Sequence, residues 1–425
     1  MLQNNRNTIK NFILRFLTDS ILVMIGVSLI NVISQFIIYP IWNEWYDNEI
    51  YGKILFLISG MNVLAITVGM ACNYGRMKMS ASQETHNDAY NRILLLSSTI
   101  ALPYITILYF ISGVNGFTVF DVLLLWLLTI LTMWRMYSDV EYRLSTNYKG
   151  CFFYYLTIAS GYVLGIFLFS ITRIWQLSLL PGELLGLLVV WTNGKVLKKD
   201  NTNTEKKDSV AVVKSVVALI FTDLISIMVL NGDRFLLNFA VNATAISIYY
   251  QASLGGKAMS LVTAPLNSVI IGHLSKYKND LSIKFMNLVS IALGCAFVIA
   301  SIGLIFCSHI IITILYPQNY ELVKGFFLIA ITAQVAESLS GIAGNILLRF
   351  CNVRYLLYVN IVYLCAFIVL CVPSAILFGL DGFAVAFFAT CFIRLVYALG
   401  LGYYSVFKKK NLLKVKIANG VSHEK

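Results

Sequence analysis

Charge is what this chain most lacks. Of 425 residues only 12% are Asp, Glu, Lys or Arg, about half the share of an ordinary soluble domain, while 59% are hydrophobic. With a mean hydropathy of +0.78, the chain reads as an integral membrane protein. Histidine is scarce: His86, His273, His309 and His423 are scattered and form no site. The eight cysteines show no C-x2-C spacing and sit mostly in apolar runs, so they act as small hydrophobes and imply neither zinc nor a disulfide. No G-x-x-x-x-G-K-[ST] motif is present, so ATP does not drive this chain directly and no cofactor is expected. Long loops are also lacking, and the outer connections Ser112–Thr118 and Asn231–Ala245 are too short to build an enzyme's water-facing site. The net charge of +12 would suggest nucleic acid in a soluble protein. Here Lys and Arg lie in short loops between apolar runs, so no nucleic-acid partner is expected.

What is present is a series of apolar runs near bilayer length, which takes about 20 helical residues. Twelve are expected: Ser20–Tyr39, Ile50–Cys72, Ile93–Ser112, Phe117–Tyr137, Phe152–Ser170, Trp175–Val196, Val213–Leu230, Ile246–Ile271, Ile283–Phe306, Leu322–Leu347, Tyr355–Leu377 and Gly382–Phe407. The run after Arg6, Lys10 and Arg15 is too long for a signal core and lacks a small-residue cleavage site, so it reads as a retained span. With the N-terminus inside, all but six of the 32 basic residues fall on the cytoplasmic side; the exceptions are Lys53, Arg173, Arg234, Lys257, Lys324 and Arg394. That bias predicts an all-α polytopic protein, N-in and C-in. The polar stretch Thr192–Ser209 divides the spans six and six. The expected organisation is a six-helix lobe over 1–192, a basic cytoplasmic linker over 193–212, a second six-helix lobe over 213–407 and a basic cytoplasmic tail over 408–425. Short internal matches about 200 residues apart, such as Arg143–Lys149 with Arg349–Arg354, are consistent with a parallel repeat and a substrate site between the halves.

Tyr46–Gly52, followed by Gly60, Gly69 and Gly75-Arg76, resembles the first loop and second span of the polysaccharide (O-antigen type) repeat-unit flippases, within the multidrug/oligosaccharidyl-lipid/polysaccharide exporter superfamily. Asn231–Leu237 with Ile248-Tyr249, and Gly379–Ala386, are similar to the same family's later motifs. Arg173–Glu183 departs from the family's small-residue pattern. The resemblance implies two six-helix, MATE-like bundles around a cavity that opens alternately to each side. It also implies a substrate: an oligosaccharide on undecaprenyl pyrophosphate, moved from the cytoplasmic to the outer face of a bacterial inner membrane for O-antigen, lipopolysaccharide or capsule synthesis. Membrane lipids, a polysaccharide polymerase and a chain-length regulator are the implied partners.

Charges inside the spans are the candidates for such chemistry, because each costs about 2.5–3.5 kcal/mol at a helix centre. Asp223 and Lys257 lie deep in two consecutive runs. They either pair to hold the helices together, or Lys257 takes pyrophosphate or an acidic sugar with Asp223 as its counter-ion. Arg394, mid-way along the last span, is a second cation for phosphate oxygens or else a helix–helix hydrogen-bonding group. Gln334, Glu337, Ser338, Gly341 and Asn345 recur on one helical face. Gln334 and Asn345 would contact substrate there, and Glu337 would bind a coupling ion, H⁺ or Na⁺, or remain a protonated structural group. Asp233 and Arg234 are read as an outer helix end meeting headgroups, or a gate. Glu183, after Pro181-Gly182, reads as first-turn chemistry of a late-starting sixth span. Asp19 and Arg135 are assigned to snorkelling at cytoplasmic ends, and Trp42, Trp45, Trp175 and Trp191 to an interfacial belt. The alternative functions are a cation-coupled multidrug exporter of the same superfamily and a membrane polysaccharide polymerase.

Overall fold

A computed structural model describes residues 21–80, 87–114, 116–198, 206–276, 281–351 and 353–418. Asp19, Ser20 at the start of the first expected span, the middle of the linker and the end of the tail lie outside these. The described residues form helices joined by short turns, with no strand among them. The first unit holds α1 (Ile21–Trp45), α2 (Asn48–Ser80), α3 (Asn87–Ser112), α4 (Val119–Ser138), α5 (Val140–Leu144), α6 (Tyr148–Thr172), α7 (Leu180–Asn193), α8 (Lys206–Leu230) and α9 (Gly232–Ala240). Next come α10 (Ala243–Lys276), α11 (Ile283–Leu315), α12 (Phe327–Phe350), α13 (Val353–Ala366) and α14 (Val372–Ala418). Contacts divide the chain into two compact units, Met1–Ser247 and Ile248–Lys425, so α10 begins in one and continues into the other.

Eight helical stretches among the described residues are long and apolar enough to cross a membrane, which makes this a multi-pass membrane protein. One of them, Arg354–Lys408, has 55 residues. At 1.5 Å per residue it would reach about 80 Å, far more than the ~30 Å hydrocarbon core, so it must turn back. Gly379 supplies the break with φ 63° and ψ −140°, a conformation that a side chain would resist. The remaining expected spans are helical over Leu180–Asn193, Lys206–Leu230 and Ala243–Lys276.

Local sequence sets several helix ends. Thr118 and Asp121 form a reciprocal capping box at α4, the Thr118 hydroxyl accepting from Asp121 N at 3.2 Å and the Asp121 carboxylate accepting from Thr118 N at 2.9 Å. Asn147 caps α6 by accepting from Gly150 N at 3.0 Å, and Ser282 caps α11 by accepting from Phe285 N at 3.2 Å. The sixth expected span does start late: a single tight turn over Trp175–Ser178 precedes α7, whose first residues include Pro181.

Large apolar side chains point outward, as lipid requires: Phe110 is 70% exposed and Ile299 72%. Inside, small residues and tyrosines fill the helix crossings. In the first unit Ala65, Val68 and Cys72 of α2 pack with Tyr90 of α3, Met133 and Tyr137 of α4, and Val212 and Val216 of α8. α6 meets α7 closely at Gly161, where a Cβ would lie 2.5 Å from Gly182 Cα, and meets the turn before α7 at Gly165, where a Cβ would lie 2.1 Å from the Ser178 carbonyl oxygen. The expected tryptophan belt is only half present. Trp45 and Trp191 are exposed, but Trp42 and Trp175 are buried and meet edge-on at 5.6 Å. Position near a span end was the sequence signal, and it does not say which way a ring faces.

Candidate functional site

In the second unit the structure brings together two charges 57 positions apart in sequence. Glu337 comes from α12, Arg394 from α14, and Tyr363 and Asn360 from α13. Arg394 Nη1 lies 3.9 Å from Glu337 Oε1, and Nη2 donates to Asn360 Oδ1 at 3.5 Å. Tyr363 donates to Glu337 Oε1 at 3.3 Å, and its ring lies 4.5 Å beneath the guanidinium. Every one of these polar contacts is long, beyond the 2.7–2.9 Å of a tight charge-assisted bond. Arg394 Nε is enclosed and has no hydrogen-bond partner among the described residues. The guanidinium is thus held in place by a ring and a distant carboxylate, with donor capacity to spare. Neither charge is fully buried: the side chains are 20% and 13% exposed. A cation thus stands at long range from a carboxylate, with an aromatic ring against its face.

The other candidates of this unit lie on α10 and α12. Lys257 is half-buried, with Nζ 4.2 Å from the Tyr250 ring centre, a cation–π contact that offsets part of the cost of a charge away from water. Next to it, Gly256 faces Gln334: an added Cβ would sit 2.7 Å from Gln334 Cβ. Gly255 faces Ser308 of α11, whose hydroxyl would be 1.8 Å from such a Cβ. The glycine pair therefore serves close helix packing beside Lys257 and Gln334. Asn345 is half-buried, two turns beyond Glu337 on α12.

In the first unit Asp223 is half-buried on α8, and its Oδ2 is enclosed without a hydrogen-bond partner among the described residues. Asp233 is 5% exposed in the first turn of α9, where its carboxylate accepts from the Arg234 backbone N–H at 2.9 Å. Arg234 Nη1 donates to the Ser59 hydroxyl of α2 at 2.6 Å, tying α9 to the interior of the unit. α2, lying alongside, offers the guanidinium a hydroxyl acceptor inside the unit.

Three polar networks inside the first unit were missed. Arg135 of α4 pairs with Glu183 of α7, and Tyr162 of α6 donates to the same carboxylate at 2.6 Å. One helical turn along, Asp139 accepts from Arg143 at 2.7 Å and from the Tyr155 hydroxyl at 2.6 Å. Snorkelling does not describe Arg135, whose side chain is 10% exposed, nor does first-turn chemistry alone describe Glu183, at 3%. Both residues were visible as charges within or next to apolar runs; what the sequence did not carry was that α4, α6 and α7 converge on them. Arg76 forms the third such group, donating at 2.6 Å to Tyr137 and at 2.6 Å to Asn87. Asn87 in turn donates to the carbonyls of Lys195 and Lys198, and Glu141 accepts from the N–H groups of Lys195 and Val196. The start of the linker is thereby fixed to the ends of α3 and α5.

Several solved structures share this arrangement of helices. An inward-facing multidrug resistance MATE family transporter of the MOP superfamily superimposes with a TM-score of 0.66 at 10% identity, covering 93% of this chain and 96% of that one. The lipid II flippase MurJ in an inward closed conformation gives 0.66 at 13% identity, covering 97% and 93%. An outward-facing MATE family transporter gives 0.59 at 14%, covering 93% and 96%. At such identities the likeness establishes a shared fold, that of the MATE transporters and MurJ. No protein-family model matches the chain, and no curated protein matches it in sequence.

Proposed function

We propose that this chain is a flippase that carries an oligosaccharide linked to undecaprenyl pyrophosphate from the cytoplasmic to the outer face of a bacterial inner membrane, supplying O-antigen or capsule-type polysaccharide synthesis. Arg394 is the observation that carries the reading. Its planar fork matches phosphate oxygens, its Nε is unpartnered, and its carboxylate neighbour stands 3.9 Å away. A diphosphate arriving there displaces only weak contacts. Glu337 balances the charge when the site is empty, and is the group through which H⁺ or Na⁺ couples to release. Lys257 supplies a second cation for the diphosphate or an acidic sugar, Gln334 and Asn345 hydrogen-bond sugar hydroxyls, and Asp223 acts as a counter-ion. Asp233 and Arg234, through the bond to Ser59, gate the outer end. A lipid II flippase shares the fold, which supports a lipid-linked cargo.

The multidrug transporters of the same fold support a second reading, a cation-coupled drug exporter. Two intramembrane cations, Lys257 and Arg394, disfavour a cavity for cationic drugs. The deciding measurement is the sidedness of lipid-linked oligosaccharide in spheroplasts depleted of this protein, read with a membrane-impermeant glycan-modifying reagent. Accumulation of repeat units on the cytoplasmic face is expected. Undiminished outer exposure with no polymer would move the function to a polymerase, and unaffected polysaccharide would move it to the drug exporter.

A further inference from the structure

At the end of the first unit that the charge bias places outside lies an open cleft of about 490 Å³, more polar than apolar in its lining. Its walls come from three parts of the chain: Glu49 and Lys53 of α2, Ser112 and Gly113 at the end of α3, and Asn238, Asn242 and Thr244 around the α9–α10 turn. Lys53 is one of six basic residues that stand outside the cytoplasmic bias, and its Nζ bonds the Glu49 carboxylate at 2.6 Å. Glu49 is 61% exposed while Lys53 is 15%, so the carboxylate keeps free acceptor capacity toward the cleft. Asn238 makes one long contact, donating to the Ile111 carbonyl at 3.5 Å. Asn242 caps α10 by accepting from Ala245 N at 2.8 Å, which commits its oxygen and leaves its NH₂ donors. The tight approach of α2 to the turn, where a Cβ on Gly52 would lie 1.8 Å from the Ala243 carbonyl oxygen, fixes one wall against the other.

From this geometry we infer that the cleft is a glycan subsite, which takes one or two sugar rings of the cargo on the outer side. The inference rests on the flippase reading for the source of that glycan. The volume falls within the range of small-ligand sites. The lining is amides, hydroxyls and one neutralised ion pair, the mixed donors and acceptors that neighbouring sugar hydroxyls need; a net-charged ligand would find no uncompensated partner. Ile111 and Ala243 supply the small apolar part for a ring's C–H face. A glycan held here is withdrawn from the transport path and less able to return, so the subsite favours outward release.

The test uses the full-length protein in nanodiscs and proteoliposomes. The probe is oligosaccharide freed by mild acid from the host's own lipid-linked pool, titrated by isothermal calorimetry. Asn238→Ala removes an amide at little cost to the fold, and Thr244→Phe fills the cleft; thermal unfolding checks that both variants fold. Wild-type binding that falls at least tenfold in both variants supports the subsite, and with it a slower net outward transfer in proteoliposomes. Equal binding in wild type and both variants overturns it, even if translocation proceeds and the flippase reading stands. If wild type translocates nothing yet binds the glycan in a variant-sensitive way, the subsite stands and the flippase reading falls. A variant that fails to fold is replaced by Glu49→Gln with Lys53→Gln, which removes the ion pair at near-constant shape, and the same two binding outcomes then decide.

Discussion

Removing the Glu183 carboxylate is the perturbation whose cost follows most directly from the geometry. In Glu183→Leu, the Arg135 guanidinium stays between α4 and α7 with its side chain 10% exposed, and the Tyr162 hydroxyl loses the acceptor it reaches at 2.6 Å. Breaking one side of a buried pair costs about 3–5 kcal/mol, because an uncompensated charge remains. Losing the tyrosine's bond lies within that figure rather than on top of it. Replacing both partners removes the stranded charge, so Arg135→Met with Glu183→Leu should recover most of the loss and unfold within about 1–2 kcal/mol of wild type. Tyr162→Phe, which leaves the pair intact, should cost about 1–2 kcal/mol. Reversible unfolding in mixed SDS micelles, followed by tryptophan fluorescence, of wild type, Glu183→Leu, Arg135→Met and the double variant gives the four free energies of a double-mutant cycle. A single-variant loss under about 1 kcal/mol, or losses that simply add in the double variant, would refute the claim that these charges support each other in a closed interior.

Arg394→Ala should slow translocation of lipid-linked oligosaccharide by roughly 30-fold or more, the effect of removing about 2 kcal/mol of charge-assisted binding, while Arg394→Lys keeps the charge and only part of the rate. Both are read by the spheroplast sidedness assay, and equal rates in Arg394→Ala and wild type would remove this residue from the site. Gly165→Leu drives a side chain into the Ser178 carbonyl, 2.1 Å from the new Cβ, and should cost about 1–3 kcal/mol by overpacking; unchanged thermal stability would contradict the close packing of α6 on the turn before α7. Thr118→Ala removes the capping box of α4 and should cost about 1 kcal/mol in the same unfolding assay. Arg234→Met loses the bond to Ser59 and should raise proteolysis of the α9–α10 turn at the outer face, with no change expected at the linker.

What the sequence determined by itself is what depends on near neighbours along the chain. Apolar runs of bilayer length became helices because backbone groups in lipid must be satisfied within their own segment. Thr118 with Asp121, Pro181 and Gly379 set local starts and breaks, through side-chain oxygens three residues away, a fixed φ and a positive φ. The tertiary structure decided which polar groups meet. Arg135 and Glu183 are 48 positions apart, and Glu337 and Arg394 lie on α12 and α14 with α13 between them in sequence. Sequence spacing placed Glu337 on a polar face and Arg394 mid-span, yet hydrophobic periodicity says only that a face is turned from lipid, not which helix it meets. The same limit explains Trp42 and Trp175: depth in the membrane is a property of position along one helix, and burial is a property of the helix packed beside it.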